Sequence, residues 1–219
     1  MDRKAFCHII DHTLLKPEAT REQIEKLCIE ARENEFATVA IEPVYIPYAA
    51  SLLQGSKTGI TSAIAYPHGS WSIKAKCHEI GLCLKAGASD CDYVLDLGAL
   101  KEGNWDQIRK EARECRKATG SAILKIILEV SLLTDEEIRI ASLISAEEGA
   151  DFVKTATGYL ASPTIEQVAI MTEAVAGTKT SVKAAGGFSS MKRVQQALDL
   201  GVKRIGTSSA FKLLEELQS

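Results

Sequence analysis

Residues 122–130 read AILKIILEV, residues 91–98 read CDYVLDLG and residues 38–43 read TVAIEP. All three are short apolar runs, rich in branched side chains, with isolated charges. Strands covered on both faces read this way, because neither face meets water. Working outward from them, strand candidates recur at 8–11, 36–42, 59–66, 91–97, 122–130, 150–155, 180–184 and 203–207. Amphipathic stretches separate them. Thr20 precedes REQIEKLCIEAREN, with Gln23 three residues later, the pattern of a capping box. Ile24, Leu27, Cys28 and Ala31 then share one helical face. Thr134 opens DEEIRIASLISAEEG, whose leading acids suit the helix dipole, and Gly149 suits the position past the helix end. Further helices are expected at 72–86, 105–118, 164–176 and 190–200, and shorter ones near 46–54 and 209–217. Eight alternating strand–helix units in 219 residues, with no long linker, predict an α/β protein. The expected architecture is one closed (β/α)8 TIM barrel, a single catalytic domain over residues 1–219. An open doubly wound sheet is the rival, but it ordinarily carries a glycine-rich turn after its first strand. Neither G-x-G-x-x-G nor a Walker A motif occurs.

With 46% apolar and 25% charged residues, the chain has the make-up of a globular protein able to bury a full core. The net charge is −3 and the basic residues form no run, which argues against nucleic acid as a partner. No apolar segment reaches the ~18 residues of a membrane span. The N-terminal MDRKAFCHIIDHTLL is too short in apolar residues for a signal peptide, so a cytoplasmic protein is expected. The six cysteines form no C-x-x-C pair and read as free thiols, with Cys28 and Cys115 in the core. His8, His12, His68 and His78 lack a metal-ligand spacing, so no metal is expected. His12 and His68 read instead as scaffold residues, and Trp71 and Trp105 as packing or subunit contacts.

In such barrels the working residues lie at the carboxyl ends of strands and in the loops beyond. A charge inside a covered strand therefore needs a reason. Asp92 and Asp96 fall in the fourth strand candidate, four residues apart and so on one face. Lys125 and Glu129 fall likewise in the fifth, Lys154 (DFVKTATG) in the sixth and Lys183 (SVKAAGG) in the seventh. Simple pairing is one explanation, most naturally of Lys125 with Glu129. Desolvating the whole set would be a poor route to stability, however. Two lysines on neighbouring strands point to chemistry. Like charges ~4 Å apart repel by about 4 kcal/mol at an effective dielectric of ~20, worth about three pKa units. One lysine is then neutral near pH 7 and can attack a carbonyl. The resulting Schiff base is an electron sink for making or breaking the adjacent C–C bond, with Asp92 relaying protons. The loops KAAGGFSS (183–190) and RIGTSSAF (204–211) follow strands seven and eight, where barrels commonly bind phosphate. Their glycines admit an anion to the backbone N–H groups, and a helix begins near Ser208 or Ser209. A plain turn at Gly186–Gly187 and a plain N-cap at Ser208 are the alternatives. Together the two loops predict a phosphorylated substrate.

The runs IDHTLLKPEAT (10–20), AYPHG (65–69), DFVKTATG (151–158), VKAAGG (182–187) and RIGTSS (204–209) resemble the DeoC/LacD group of class I aldolases, the 2-deoxyribose-5-phosphate aldolase family. The likeness runs in order over nearly the whole chain. It implies a (β/α)8 barrel without a cofactor that reversibly cleaves 2-deoxy-D-ribose 5-phosphate to acetaldehyde and D-glyceraldehyde 3-phosphate, in deoxyribonucleotide catabolism. By the same resemblance Lys154 is the Schiff-base lysine, Lys183 the lysine that depresses its pKa, and Asp92 the proton relay. Lys125 and Glu129 match polar positions lining the family site, and Thr13 and Leu15 positions near the substrate. Gly158, Gly186, Gly187, Gly206, Ser208 and Ser209 match the phosphate loops. A homodimer is also implied.

The chain departs from the family pattern at several points. K-T-S-T-G becomes Lys154-Thr155-Ala156-Thr157-Gly158, V-C-V-N-P becomes VAIEP with Ala40 and Glu42, and M-V-I-N becomes YVLD with Asp96. Ser189 stands where an arginine is common, and the loop after Gly158 is short and lacks a Gly-Gly pair. Glu42 and Asp96 would add negative charge if they pointed inward. These departures keep two other readings open: a related Schiff-base aldolase for another phosphorylated sugar, and a non-catalytic sugar-phosphate-binding barrel.

Overall fold

The computed structural model describes residues 2–218. Its strands β1 (Ile10–Leu14), β2 (Thr38–Ile41), β3 (Gly59–Ile64), β4 (Asp90–Val94), β5 (Ile123–Ile127), β6 (Phe152–Lys154), β7 (Ser181–Ala185) and β8 (Arg204–Thr207) pair in parallel in chain order. β8 returns to β1 and closes the barrel, as expected. The helices are α1 (Arg3–Cys7), α2 (Arg21–Glu33), α3 (Ile46–Leu52), α4 (Ile73–Ala86), α5 (Leu97–Lys101), α6 (Trp105–Thr119), α7 (Asp135–Glu147), α8 (Ile165–Ala174), α9 (Met191–Asp199) and α10 (Ala210–Gln218).

The helix starts follow from their caps. Thr20, Thr134 and Thr164 each form a full capping box with the Gln or Glu three residues on. Gly149, at φ +85°, takes the left-handed turn that ends α7. The alternation of each strand then separates two environments. One set of side chains, including Val39, Ile60, Tyr93, Ile126, Val153 and Ile205, joins the apolar core beneath the helices. Cys28 and Cys115 lie in that core. The other set faces the barrel interior, and there Asp11, Asp90, Asp92, Lys125 and Lys183 are buried. His12 is scaffold: it bonds Glu30 at 2.9 Å and lies edge-on to Phe36. Trp105 packs against the core, whereas Trp71 is exposed.

Most strand ends shift by one or two residues from the sequence reading, and three of the shifts matter for the site. β1 begins at Ile10 because α1, capped by Asp2 Oδ1 on the Ala5 N–H at 2.7 Å, runs up to His8. β4 ends at Val94, so Asp96 does not share a strand face with Asp92. It caps α5 instead, its Oδ1 accepting the Ala99 N–H at 3.1 Å. β5 ends at Ile127, and Glu129 lies beyond it in a left-handed conformation at φ +53°. Neither short helix, α1 or α5, was expected.

Candidate active site

The interior polar set converges on Asp92. The register aligns Asp92 with Lys125, Ile127 with Lys154, and Lys154 with Lys183, so three lysines on successive inward positions approach one carboxylate. Lys154 Nζ donates to Asp92 Oδ2 at 3.0 Å, Lys183 Nζ to the same oxygen at 2.7 Å, and Lys125 Nζ to Oδ1 at 2.8 Å. Beneath them Lys125 also meets Asp90 Oδ2 at 2.7 Å and Thr61 Oγ1 at 3.1 Å. Lys183 meets Asp11 Oδ2 at 2.5 Å, and Arg204 Nη1 donates to Asp11 Oδ1 at 2.9 Å. Thr38 Oγ1 donates to the same Asp11 oxygen at 2.8 Å.

Burial favours the neutral form of any such group; partners decide the outcome. Burial alone would raise Asp92, but Lys125, Lys183 and Lys154 outweigh it and hold the carboxyl well below the usual range. Asp11 is lowered in the same way, chiefly by Lys183 and Lys125. Lys125 is raised, because Asp92, Asp11 and Asp90 overcome its desolvation. Lys154 is lowered to about 8, first by desolvation and then by Lys183 and Lys125, against the pull of Asp92. Lysine–lysine repulsion, which the sequence reading put first, is therefore the smaller influence.

Above this cluster opens a pocket of about 560 Å³ at the carboxyl ends of β1, β6, β7 and β8. Lys154 forms part of its floor. Thr13 and Leu15 line one side, Gly158 and the Gly186–Gly187 pair another, and Gly206, Ser208 and Ser209 close it. Gly158, Gly186 and Gly187 have φ of +94°, +85° and +82°, a left-handed backbone that glycine adopts without strain. Gly206 serves a second purpose: a Cβ there would lie 3.1 Å from Lys183 Cε. Ser209 accepts the first backbone bond of α10, from the Leu213 N–H at 3.1 Å. Asp92, Lys183 and Lys125 lie below the pocket rather than on its wall.

Two sequence expectations are corrected. Lys125 pairs with aspartates on β1 and β4, not with Glu129. Glu129 instead accepts from the Thr157 N–H at 3.0 Å and from the Thr157 hydroxyl, tying down the loop after β6. The sequence reading also missed Asp11, Asp90 and Arg204. Their strand positions signalled them only weakly, since Asp11 and Asp90 fell at or outside the expected strand ends. Tyr159 was missed too. Its hydroxyl donates to Leu15 O at 2.9 Å and its ring lies edge-on to Tyr66 at 5.5 Å, so it spans the mouth from β6 to β1. Among the described residues no group of three or more His, Cys, Asp or Glu side chains could hold a metal ion, and no helix is long and apolar enough to cross a membrane.

A closed parallel barrel with a buried amine beneath glycine loops is the frame of an α/β-barrel enzyme. The chain belongs to the DeoC/LacD family of aldolases, whose family model matches residues 6–218. It is 41% identical over 215 residues to the deoxyribose-phosphate aldolase of Staphylococcus carnosus, covering 98% of this chain and 97% of that one. It is 40% identical over 218 residues to the namesake of Clostridium kluyveri, covering 99% and 100%. A tetrameric deoxyribose phosphate aldolase from Aeropyrum pernix superposes with a TM-score of 0.89 at 30% identity, over 100% of this chain and 93% of that one.

Proposed function

We propose that the chain is a Schiff-base aldolase that reversibly cleaves 2-deoxy-D-ribose 5-phosphate to acetaldehyde and D-glyceraldehyde 3-phosphate. One observation carries the reading: Lys154 presents a buried amine, lowered to about 8, to the floor of a pocket closed by glycine and serine loops. Its Nζ lone pair adds to the C1 aldehyde of the open-chain sugar, and loss of water gives a protonated imine. Removal of the C3 hydroxyl proton lets that oxygen close to a carbonyl as the C2–C3 bond breaks. The bonding pair moves into the imine, giving an enamine and free D-glyceraldehyde 3-phosphate. Protonation of the enamine carbon and hydrolysis release acetaldehyde and restore the amine. Asp92, bonded to both Lys154 and Lys183, is the group placed to pass these protons.

The N–H groups of the Gly186–Gly187 and Ser208–Ser209 loops suit the substrate phosphate. Among the described residues Lys16 is the one cation besides Lys154 on the pocket wall, and its charge suits a phosphate. Glu42, Asp96 and Ala156, the departures that could redirect specificity, stay off this wall, whereas Ser189 lies on it. Asp96 caps α5, Ala156 is buried beneath Gly186, and Glu42 does not line the pocket. Deoxyribose 5-phosphate is therefore preferred to another sugar phosphate. The resemblance implies a homodimer, and exposed Val44, Trp71 and Leu82 offer apolar surface for self-association, which light scattering would measure.

Borohydride reduction with acetaldehyde tests the reading. It should fix a two-carbon adduct on Lys154, and Lys154→Leu should lose both the adduct and the cleavage of deoxyribose 5-phosphate. No adduct, or an adduct on another lysine, overturns it.

A further inference from the structure

Below the pocket the cluster has a symmetry of charge. Taken as ordinary ions, Asp11, Asp90 and Asp92 supply the negative charges and Lys125, Lys183 and Arg204 the positive ones, three against three. The set is neutral only while Lys154 is unprotonated. A proton on Lys154 leaves one uncompensated charge among buried side chains, a costly state. Two arms reach Asp92 from opposite sides. In one, Asp90 holds Lys125 at 2.7 Å and Lys125 holds Asp92 Oδ1 at 2.8 Å. In the other, Arg204 holds Asp11 at 2.9 Å, Asp11 holds Lys183 at 2.5 Å, and Lys183 holds Asp92 Oδ2 at 2.7 Å.

Asp90 and Arg204 end these arms, and neither lines the pocket. Asp90 Oδ1 accepts from Ser89 Oγ at 2.7 Å, and the Arg204 guanidinium lies 5.5 Å from the centre of the Phe152 ring. We propose that Asp90 and Arg204 are positioning residues of opposite sign: through Lys125 and Asp11 they set the net charge around Lys154, and so the fraction of Lys154 that is free amine. The proposal rests on reading Lys154 as the nucleophile. The charged and titratable groups that face it are Asp92 from β4, Lys125 from β5, Lys183 from β7, Asp11 from β1 and Arg204 from β8, with Lys16, Glu18, Tyr66 and Tyr159 at the mouth. β2 and β3 contribute only uncharged Thr38 and Thr61 to the polar set.

The sign of each change follows. Asp90→Asn leaves the cluster one charge positive before Lys154 takes a proton, so the amine persists to lower pH. Arg204→Gln leaves it one charge negative, so the amine forms only at higher pH. A unit charge several ångströms away at an effective dielectric of ~20 moves a pKa by about one unit. The double variant returns the cluster to neutrality.

The test is the acidic limb of kcat/KM against pH for cleavage of deoxyribose 5-phosphate, in wild type, D90N, R204Q and D90N/R204Q. D90N should move the limb down by about one unit, R204Q up by about one, and the double variant should lie near wild type. The conservative D90E and R204K should keep the wild-type limb. In parallel, reductive methylation by formaldehyde and cyanoborohydride, followed at the Lys154 peptide across pH, reads the free amine without any turnover. Those shifts would still appear if the substrate assignment failed, which separates the two claims. Limbs that stay in place while activity falls, or that move in the same direction in both single variants, would overturn the proposal and leave a structural role. If one single variant does not fold, the direction of the other decides.

Discussion

Lys154 and Lys183 donate to one and the same oxygen, Oδ2 of Asp92, at 3.0 and 2.7 Å. The carboxylate thus bridges the two amines. With Lys154 lowered to about 8, roughly a tenth of it is free amine at pH 7. Lys183→Met removes a cation and leaves Oδ2 to Lys154 alone, and both changes favour protonated Lys154. We expect kcat/KM at pH 7 to fall by about 10–100-fold, with partial recovery above pH 9. A stopped-time assay across pH checks this. Equal losses at all pH values would mean that Lys183 acts by some route other than the charge on Lys154.

Among the described residues Lys16 is the one cation besides Lys154 on the pocket wall, on the loop after β1, which neighbours β8 and its serine loop. Its charge should act on the phosphate and not on the reacting carbons. Lys16→Gln should therefore raise KM for deoxyribose 5-phosphate by about tenfold and change kcat little, since a charge-assisted contact is worth ~1.5–3 kcal/mol at most. Unphosphorylated 2-deoxyribose should respond to neither the substitution nor added salt. Steady-state kinetics on both sugars reads the difference, and an equal change for both would remove Lys16 from the phosphate site.

How much of this was legible depends on the reach of each interaction along the chain. The barrel was, because eight strand runs and their threonine caps are local patterns. The pair Lys154 and Lys183 was, because an apolar run makes an intruding charge conspicuous. Asp11 and Asp90 were not, because Asp11 ends the expected first run, Asp90 lies just outside the expected fourth, and only ring closure brings Asp11 to 2.5 Å from Lys183. Asp96 and Glu129 were misplaced for the converse reason. Alternation continued past Val94 and Ile127 would keep them on a strand face. The chain instead leaves each strand, into a helix cap at Asp96 and a left-handed turn at Glu129.

The pH dependence of stability should carry opposing signatures. Asp11 and Asp92 are lowered in the folded state, so the stability they supply is present at neutral pH and is lost as pH falls below about 4. Glu42 runs the other way. Desolvation first, then Glu79, raises it to about 7, so its penalty is absent near pH 4.5, grows as pH rises through 7 and then stays constant. Glu42→Gln should raise the midpoint of urea unfolding at pH 8, by about 1 kcal/mol after allowing for its partial exposure, and leave it unchanged at pH 4.5. A gain of equal size at both values would exclude ionisation as its cause.

Lys76 and Glu111 form a second buried charge pair, at 2.7 Å, outside the barrel between α4 and α6 and away from the pocket. Lys76 Nζ also donates to Val94 O at 2.8 Å, while Glu111 Oε2 has no hydrogen-bond partner in the described structure. Burial raises the Glu111 carboxyl to about 7 in spite of its lysine, which shows how far desolvation offsets the attraction. Such a pair stabilises little relative to apolar side chains of similar volume, yet breaking it strands a charge. Lys76→Met or Glu111→Leu alone should therefore cost about 3–5 kcal/mol in urea unfolding. The double variant should return to within about 1–2 kcal/mol of wild type, because two contacting sites are not additive. Aldolase activity per folded molecule should be unchanged throughout, since neither side chain lines the pocket. If the double variant instead loses the sum of the two single costs, Lys76 acts through its bond to Val94 O at the end of β4, and the ion pair itself holds nothing.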